Sequence, residues 1–445
     1  MITNQQTAWR RRESRGISVI IVAVGMVFVL GMGGLAIDLA SLYVGRSQAQ
    51  RAADAAALAG ASVFVAQGCT SGVTNQSACE TLATQQAEAV GNTNFIAGVT
   101  PNITDSDITF DFSNPNDPRI TVATAHTMPT FFAKIFGVNS ANVSATATAE
   151  AFNPSGSNIS VATACVKPWL LPNCDPTHQE QSGTSKANMS CQAISGTNYP
   201  AYFVYPPGGT NAGDVVYPGN YTQNGAMGQL LTIKPGDPHQ AAAPSKYYTV
   251  YLPPGSQPNS CPACATGSGG GGPNSGSLYR NNIECCNQST VVCGANATVQ
   301  AIDGNMVGPT QQGVTCLIHQ GNGGSGGQDT FDPSTFTITA GASNPYAAAG
   351  TVVTTSDSIV NVPLYSGQTL CPGNSCPSTS QVEVIGLMQL FIKSQTNPQG
   401  TVEAYIMNIS GCGNGGVGGG GGSGGGNVIG AGGSTIPVRL IRNGT

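Results

Sequence analysis

The chain has 445 residues, only 8% of them charged, and a formal net charge of −5. Soluble domains ordinarily carry roughly a quarter charged residues, so Ser, Thr, Asn, Gln and Gly must supply most of the polar surface here. Without a basic stripe, an aromatic stacking platform or a strong field of either sign, the composition excludes nucleic-acid binding and electrostatic attachment to anionic lipid.

The first predicted element is a membrane span. Arg10, Arg11, Arg12 and Arg15 precede Ile17–Ile37, a run of 21 residues without a charge that stops at Asp38. At about 1.5 Å rise per residue, roughly 20 apolar residues cross a ~30 Å hydrocarbon core. Arginines on the N-terminal side stay cytoplasmic. Residues 1–16 are therefore expected as a cytoplasmic tail, 17–37 as a single-pass transmembrane helix of a bacterial inner membrane, and everything past Asp38 as extracytoplasmic. A cleaved secretory signal competes with this reading, but its apolar region runs only about 7–15 residues and ends at an Ala-x-Ala-like site in polar sequence. Ala36-Ile37-Asp38 is a poor site and helical patterning continues beyond it, so a retained anchor is expected.

From Leu39 to Ala66 the chain contains no proline and is rich in alanine, the best helix former. Leu35, Leu39, Leu42, Ala49, Ala53, Ala56 and Ala59 recur at three- and four-residue steps and predict a narrow apolar face, with Arg46, Gln50, Arg51 and Asp54 on the wet side. A helix from Ile17 to Ala66 would be about 75 Å long. Asp38 sits where the span meets the headgroups, and an acid there costs about 1–3 kcal/mol unless solvated or paired. It either ends the span or docks a basic or N-terminal group of another subunit. Gly31, Gly33 and Gly34 lie just before it, and small residues let helices approach closely in lipid.

The order Arg15-Gly16, apolar span, Gly34-Leu35-Ala36-Ile37-Asp38, Tyr43, Gln50 and the run Ala52-Ala53-Asp54-Ala55-Ala56-Ala57-Leu58-Ala59-Gly60-Ala61 resembles the TadG-like family of Flp (tight-adherence) pilus assembly proteins. A looser echo follows in Met128-Pro129-Thr130-Phe131-Phe132 and in Val143–Ala149. The resemblance implies a pilin-like unit built on the anchor, with other pilus or pseudopilin subunits and membrane assembly machinery as partners. Two family-associated features are missing. Some relatives end in a von Willebrand factor A domain with an Asp-x-Ser-x-Ser metal motif, and Ser356-Asp357-Ser358 lacks that spacing. Prepilins carry a glutamate five residues after the cleaved glycine, where Gly16 is followed by Ile21, so prepilin-type processing is not expected.

Beyond the first helix, residues 38–152 read as the pilin-like unit: a second helix near Cys79–Val90, then a hairpin of Ile108–Phe112 and Ile120–Thr124 about the turn Asn114-Pro115-Asn116-Asp117. Pro129–Phe136 reads as a short helix with proline near its first turn, and Val143–Ala151 as a third strand. Asn153–Ser157 marks a boundary. Residues 153–445 show strands and loops without a long helical period. The better strand candidates are Ala201–Tyr205, Leu230–Ile233, Tyr247–Leu252, Thr335–Thr339, Thr351–Thr355, Val382–Ile392, Val402–Ile409 and Ile436–Ile441. The glycine tracts Gly267–Gly272, Gly321–Gly327 and Gly411–Gly426 lack the order of a phosphate loop. The predicted class is α+β: one transmembrane helix continuing into a pilin-like α/β unit, then a β-rich, disulfide- and glycine-rich distal domain.

All 14 cysteines lie past Asp38, and an oxidising compartment makes disulfides the default. Cys69 and Cys79 flank a polar loop between the two helices and form a plausible pair. Cys371 and Cys376 bracket Pro-Gly-Asn-Ser, a turn able to close a small loop. Cys261-Pro262-Ala263-Cys264 has redox or zinc spacing, but the glycines that follow it remove the helix that would activate a thiol. Trp169 is expected to pack over a disulfide. His126, His178, His239 and His319 are isolated from one another and from any nucleophile signature. Neither a cofactor, a metal, a small-molecule substrate nor a catalytic constellation is expected. Two functions remain in competition: a membrane-anchored structural component of a pilus assembly or secretion apparatus, and a surface adhesin using a pilin-like anchor.

Overall fold

In a computed structural model of the protein the described residues are 6–66, 69, 76–113, 117–152, 161–175, 202–204, 227–240, 242–254, 261–266, 270–289, 291–293, 298–321, 326–353, 355–371, 380–396, 400–412, 428–429, 436 and 438–441, with side chains of the first helix described from residue 17. Helix α1 spans Gln6–Ala66 and α2 spans Gln76–Gly91. Strands β1 (Ile108–Asp111), β2 (Arg119–Pro129) and β3 (Ser140–Ala151) follow. The remaining elements are β4 (Val161–Thr163), β5 (Trp169–Pro172), β6 (Leu230–Pro235), β7 (Lys246–Tyr251), α3 (Gly276–Glu284), β8 (Val291–Val292), β9 (Thr298–Ala301) and α4 (Val307–Leu317). They continue with β10 (Thr330–Asp332), β11 (Thr337–Thr339), β12 (Val352–Val353), β13 (Ile359–Tyr365), β14 (Gln381–Glu383), β15 (Gly386–Thr396), β16 (Thr401–Gly411), β17 (Val428–Ile429) and β18 (Val438–Ile441).

Helix α1 is continuous for 61 residues, about 90 Å at the usual rise. Its first part is long and apolar enough to cross a membrane, and the large apolar side chains from Ile17 to Met32 are exposed. Its second part packs on α2 and on the sheet through Ala53, Ala56, Ala57, Ala83, Ala87, Ile120, Val122, Ala147 and Ala149, all buried. Small side chains permit this close stacking. Phe64 ends the face edge-on to Phe110 and Phe112.

The sheet against α1 has the order β1-β2-β3-β18. Its fourth strand comes from the C-terminus, with Val438 opposite Ala151 and Ile441 opposite Thr148. Buried Glu150 on β3 receives Arg439 Nε at 2.6 Å, and Arg439 stacks on the Phe152 ring at 4.6 Å. The chain therefore leaves this unit after β3 and returns to it at the end, which a linear division at residue 152 does not anticipate.

The intervening part contains a closed barrel. Six strands pair in a ring β5-β13-β15-β16-β6-β7, with β7 returning to β5, and β9 and β14 extend the sheet outward from β7. Alternate residues of a strand face opposite sides: Trp169 and Leu171 join one buried cluster with Met388 and Phe391, while Leu170 joins another with Tyr248 and Tyr365. Burial on both faces explains the nearly unbroken apolar runs of β13 and β15. Helices α3 and α4 add Tyr279, Ile283, Val314 and Leu317 to the first cluster.

Several expectations shift. Pro129–Phe136 is not a helix: Pro129 closes β2 opposite Ser140, and only Ala133–Phe136 turns, as a single 3-10 turn. Val382–Ile392 divides at Val384–Ile385, because β14 pairs with β9 whereas β15 pairs with β13 and β16. Among its described residues the distal part holds two short helices, α3 and α4, beside its strands. Trp169 has Tyr247 as its ring neighbour and donates Nε1–H to the Tyr279 hydroxyl at 2.9 Å. Of the predicted apolar face, Ala49, Ala53 and Ala56 are buried, but Leu35 and Leu39 are exposed, and toward the span the buried line passes instead through Gly34, Asp38 and Gly45. The residues Asn114–Asn116, Asn153–Ser157, Ala201, Tyr205 and most of the glycine tracts lie outside the described residues.

Candidate functional site on the anchor helix

Strand β2 and the loop that follows it lie along α1 and meet three glycines in turn. A Cβ on Gly60 would strike Ile120, one on Gly45 would strike Met128, and one on Gly34 would come within 2.6 Å of the Phe132 ring. The hairpin thus descends the helix toward the apolar span, and at these three points a glycine leaves the room that the facing side chain fills. One turn from Gly34, the Asp38 carboxylate is buried (2% exposed) and receives three backbone N–H donors. Phe131 donates to Oδ1 at 2.8 Å, and Phe132 and Ala133 donate to Oδ2 at 2.9 and 2.6 Å. Burial raises the Asp38 carboxyl, but these three donors outweigh it together and hold the group below the ordinary carboxylate range. The acid caps the first donors of the 3-10 turn as an N-cap residue would, from 93 to 95 residues away. Thr130 Oγ1–H closes the loop on the Val138 carbonyl, and Gly137 takes the left-handed conformation (φ 86°) that ends the turn.

The Asp38 carboxylate is thus occupied by backbone donors of its own chain. The three glycines divide as well: Gly34 is covered by Phe132, whereas added Cβ atoms on Gly31 and Gly33 would meet nothing within 4 Å.

A second feature lies where α1 ends against the barrel. A cavity of about 1050 Å³ is walled by Leu58 and Ser62 of α1 on one side and by Lys167, His319, Tyr346 and Asp357 on the other. Buried Lys167 donates Nζ–H to the carbonyls of Ile283 and Cys285 at 2.7 and 2.9 Å, and desolvation pushes its ammonium down to about 7 against the pull of Asp357. His319 Nε2 pairs with Asp357 Oδ2 at 2.8 Å, and Tyr346 donates to Asp357 Oδ1 at 3.0 Å. These contacts are structural pairings within the wall. Among the described residues no group of three His, Cys, Asp or Glu side chains is placed to hold a metal.

The cysteines are used as staples. Cys69 is bonded to Cys79, Cys165 to Cys286, Cys261 to Cys285, Cys264 to Cys316 and Cys293 to Cys412. The two thiols of the C-x-x-C segment thus bind different partners, on α3's end and on α4. Cys371 is disulfide-bonded; its suggested partner Cys376 lies outside the described residues. Of the histidines, His239 pairs with Asp237 at 2.9 Å, and His178 lies outside the described residues.

Sequence reasoning singled out Asp38 and the Met-Pro-Thr-Phe-Phe segment separately. The available signal was a lone acid at the edge of an apolar helix, which must find donors; nothing local says that they come from Phe131–Ala133. Lys167 carried no signal of its own.

Fold and site together define a membrane-anchored, disulfide-stapled protein whose N-terminal apolar helix directly carries a folded unit. Residues 16–63 match the family model for Flp pilus-assembly TadE/G-like proteins, and residues 40–149 match that for Tad-like Flp pilus-assembly proteins. The N-terminal region of the chain, residues 16–149, is therefore similar to the Tad/TadG-like pilus-assembly family. Neither the curated proteins nor the solved structures contain a match to the chain.

Proposed function

We propose that the protein is an integral structural component of a Tad/Flp pilus assembly or secretion apparatus, held by one span at Ile17–Ile37 with its N-terminus in the cytoplasm and the rest outside. The observation that carries this reading is the two-part helix α1: bare apolar surface up to Met32, then a buried glycine and alanine face that carries the folded unit. The basic cluster before the span supports the orientation. Gly31 and Gly33, left open by the protein's own hairpin, are the positions where the helix of another pilus or pseudopilin subunit packs.

Alkaline phosphatase fused after Ala66 should be active and a fusion at Arg15 inactive; the reverse pattern rejects the orientation. Gly31→Leu with Gly33→Leu should leave folding and insertion intact and reduce co-purification with the pilus machinery. Undiminished co-purification, together with saturable cell-surface binding by the full chain, would favour the adhesin reading instead.

A further inference from the structure

The loop between β2 and β3 presents apolar side chains where a soluble protein would hide them. Phe131, Ile135 and Phe136 are 65%, 78% and 79% exposed, and Val138 and half of Phe132 are open beside them. The loop has no freedom to fold these inward. Its backbone is pinned to Asp38 by three N–H donors, its Phe132 ring rests on Gly34, and Thr130 ties its two ends together. Both pins are on the helix that carries the span, at its outer end. Gly34 lies four residues before Asp38, about 6 Å along the axis, so the loop sits beside the last turn of the apolar run.

We propose that residues 130–138 form a second membrane contact, inserting Phe131, Ile135 and Phe136 into the outer-leaflet boundary between headgroups and acyl chains. The proposal rests on the reading of Ile17–Ile37 as the span. The occupant of the patch is lipid because the patch is continuous with the lipid-facing surface of α1 and held at its level. Aromatic rings are favoured at that depth. Lys134, exposed in the middle of the loop, has the long stem and terminal charge that reach back to headgroup phosphates. A single helix leaves a protein free to swivel about the membrane normal and to tilt. A second contact rigidly coupled to that helix fixes which face of the folded unit lies against the bilayer. Asp38 is then a brace: it holds the loop at the depth where its apolar residues are buried.

The test is depth-dependent quenching of tryptophan in the full chain reconstituted into phosphatidylcholine vesicles, with the signal of the native Trp9 and Trp169 subtracted. Three variants are compared: Phe136→Trp in the loop, Phe28→Trp near the middle of the span, and Phe95→Trp, exposed on the folded unit. Phe136→Trp should be blue-shifted and quenched most by lipids brominated near the carbonyl end of the acyl chain. Phe28→Trp should respond most to bromine near the bilayer centre, and Phe95→Trp only to aqueous iodide. If Phe136→Trp behaves like Phe95→Trp, or is shielded from both kinds of quencher as under a protein partner, while Phe28→Trp still reports lipid, the loop proposal is wrong and the span stands. If Phe28→Trp escapes lipid quenching, the spanning reading itself fails, and the proposal with it.

Discussion

Asn408 of the barrel donates its side-chain amide to the carbonyl oxygen of Val65 at 2.6 Å, in the last turn of the anchor helix. The last four carbonyls of a helix lack partners within it, and here one is satisfied by a residue 343 positions further along the chain. The same amide reaches Gln389 Oε1 at 2.6 Å, and all three groups are buried. The anchor helix therefore ends in the wall of the barrel, and the two parts of the chain are joined by a buried polar contact.

Asn408→Ala should remove both hydrogen bonds and leave the Val65 carbonyl and the Gln389 side chain unsatisfied. The expected loss is about 1–3 kcal/mol, read as a lower thermal midpoint of the detergent-solubilised protein. A Gln389→Ala, Asn408→Ala double variant that falls no further than Asn408→Ala alone would show that the two act as one network.

Replacing Asp38 by Asn should preserve insertion while loosening the 131–136 loop. Asparagine keeps one acceptor oxygen but turns an NH2 group toward N–H donors, so at least one of the three bonds is lost. Amide exchange at Phe131, Phe132 and Ala133 should accelerate in Asp38→Asn, with α2 unaffected. The native carboxylate titrates below its ordinary range, so its stabilising contribution is complete above the unfolded value and is lost only as pH falls through the lower folded value. Protection of these amides should survive mild acid.

Lys167 has the opposite sign. Its folded value of about 7 lies below the 10.5 of an unfolded lysine, so between these limits the unfolded chain holds the extra proton. Stability should rise with pH across that window, by at most about 1.4 kcal/mol per pH unit, and be flat in this contribution below it. Denaturant midpoints from about pH 7 to about pH 10 test it. Lys167→Met should abolish the rise.

The helix pair is limited by glycine. An added Cβ at Gly91 would stand 2.9 Å from the Ala56 Cβ and 2.6 Å from Ile103, and the former cannot rotate away. Gly91→Ala should cost about 1–3 kcal/mol through overpacking. Gly25→Ala, with nothing within 4 Å, should leave the thermal midpoint unchanged.

Breaking Cys293–Cys412, which joins residues 119 apart, releases a long loop in the unfolded chain. Cys293→Ala with Cys412→Ala should cost about 2–5 kcal/mol. Peptide mapping of the acid-trapped native protein should recover this pair and Cys69–Cys79 as linked species.

The sequence by itself determined the local elements. Alanine content and the absence of proline made α1 one helix, its uncharged run made it an anchor, and strand-forming composition marked β3, β7 and β16 to within a few residues and the first half of β2. Those signals are short-ranged, each set by a residue and its near neighbours. What only the tertiary structure decided was every pairing across long separations: β18 on β3, the six-strand ring, Asn408 on Val65, and Phe131–Ala133 on Asp38. It also decided which face of α1 is covered. Hydrophobic periodicity placed Leu35 and Leu39 on one face with Ala49, Ala53 and Ala56; the alanines are covered, but nearer the span the hairpin lies over Gly34, Asp38 and Gly45, and Leu35 and Leu39 are left facing out.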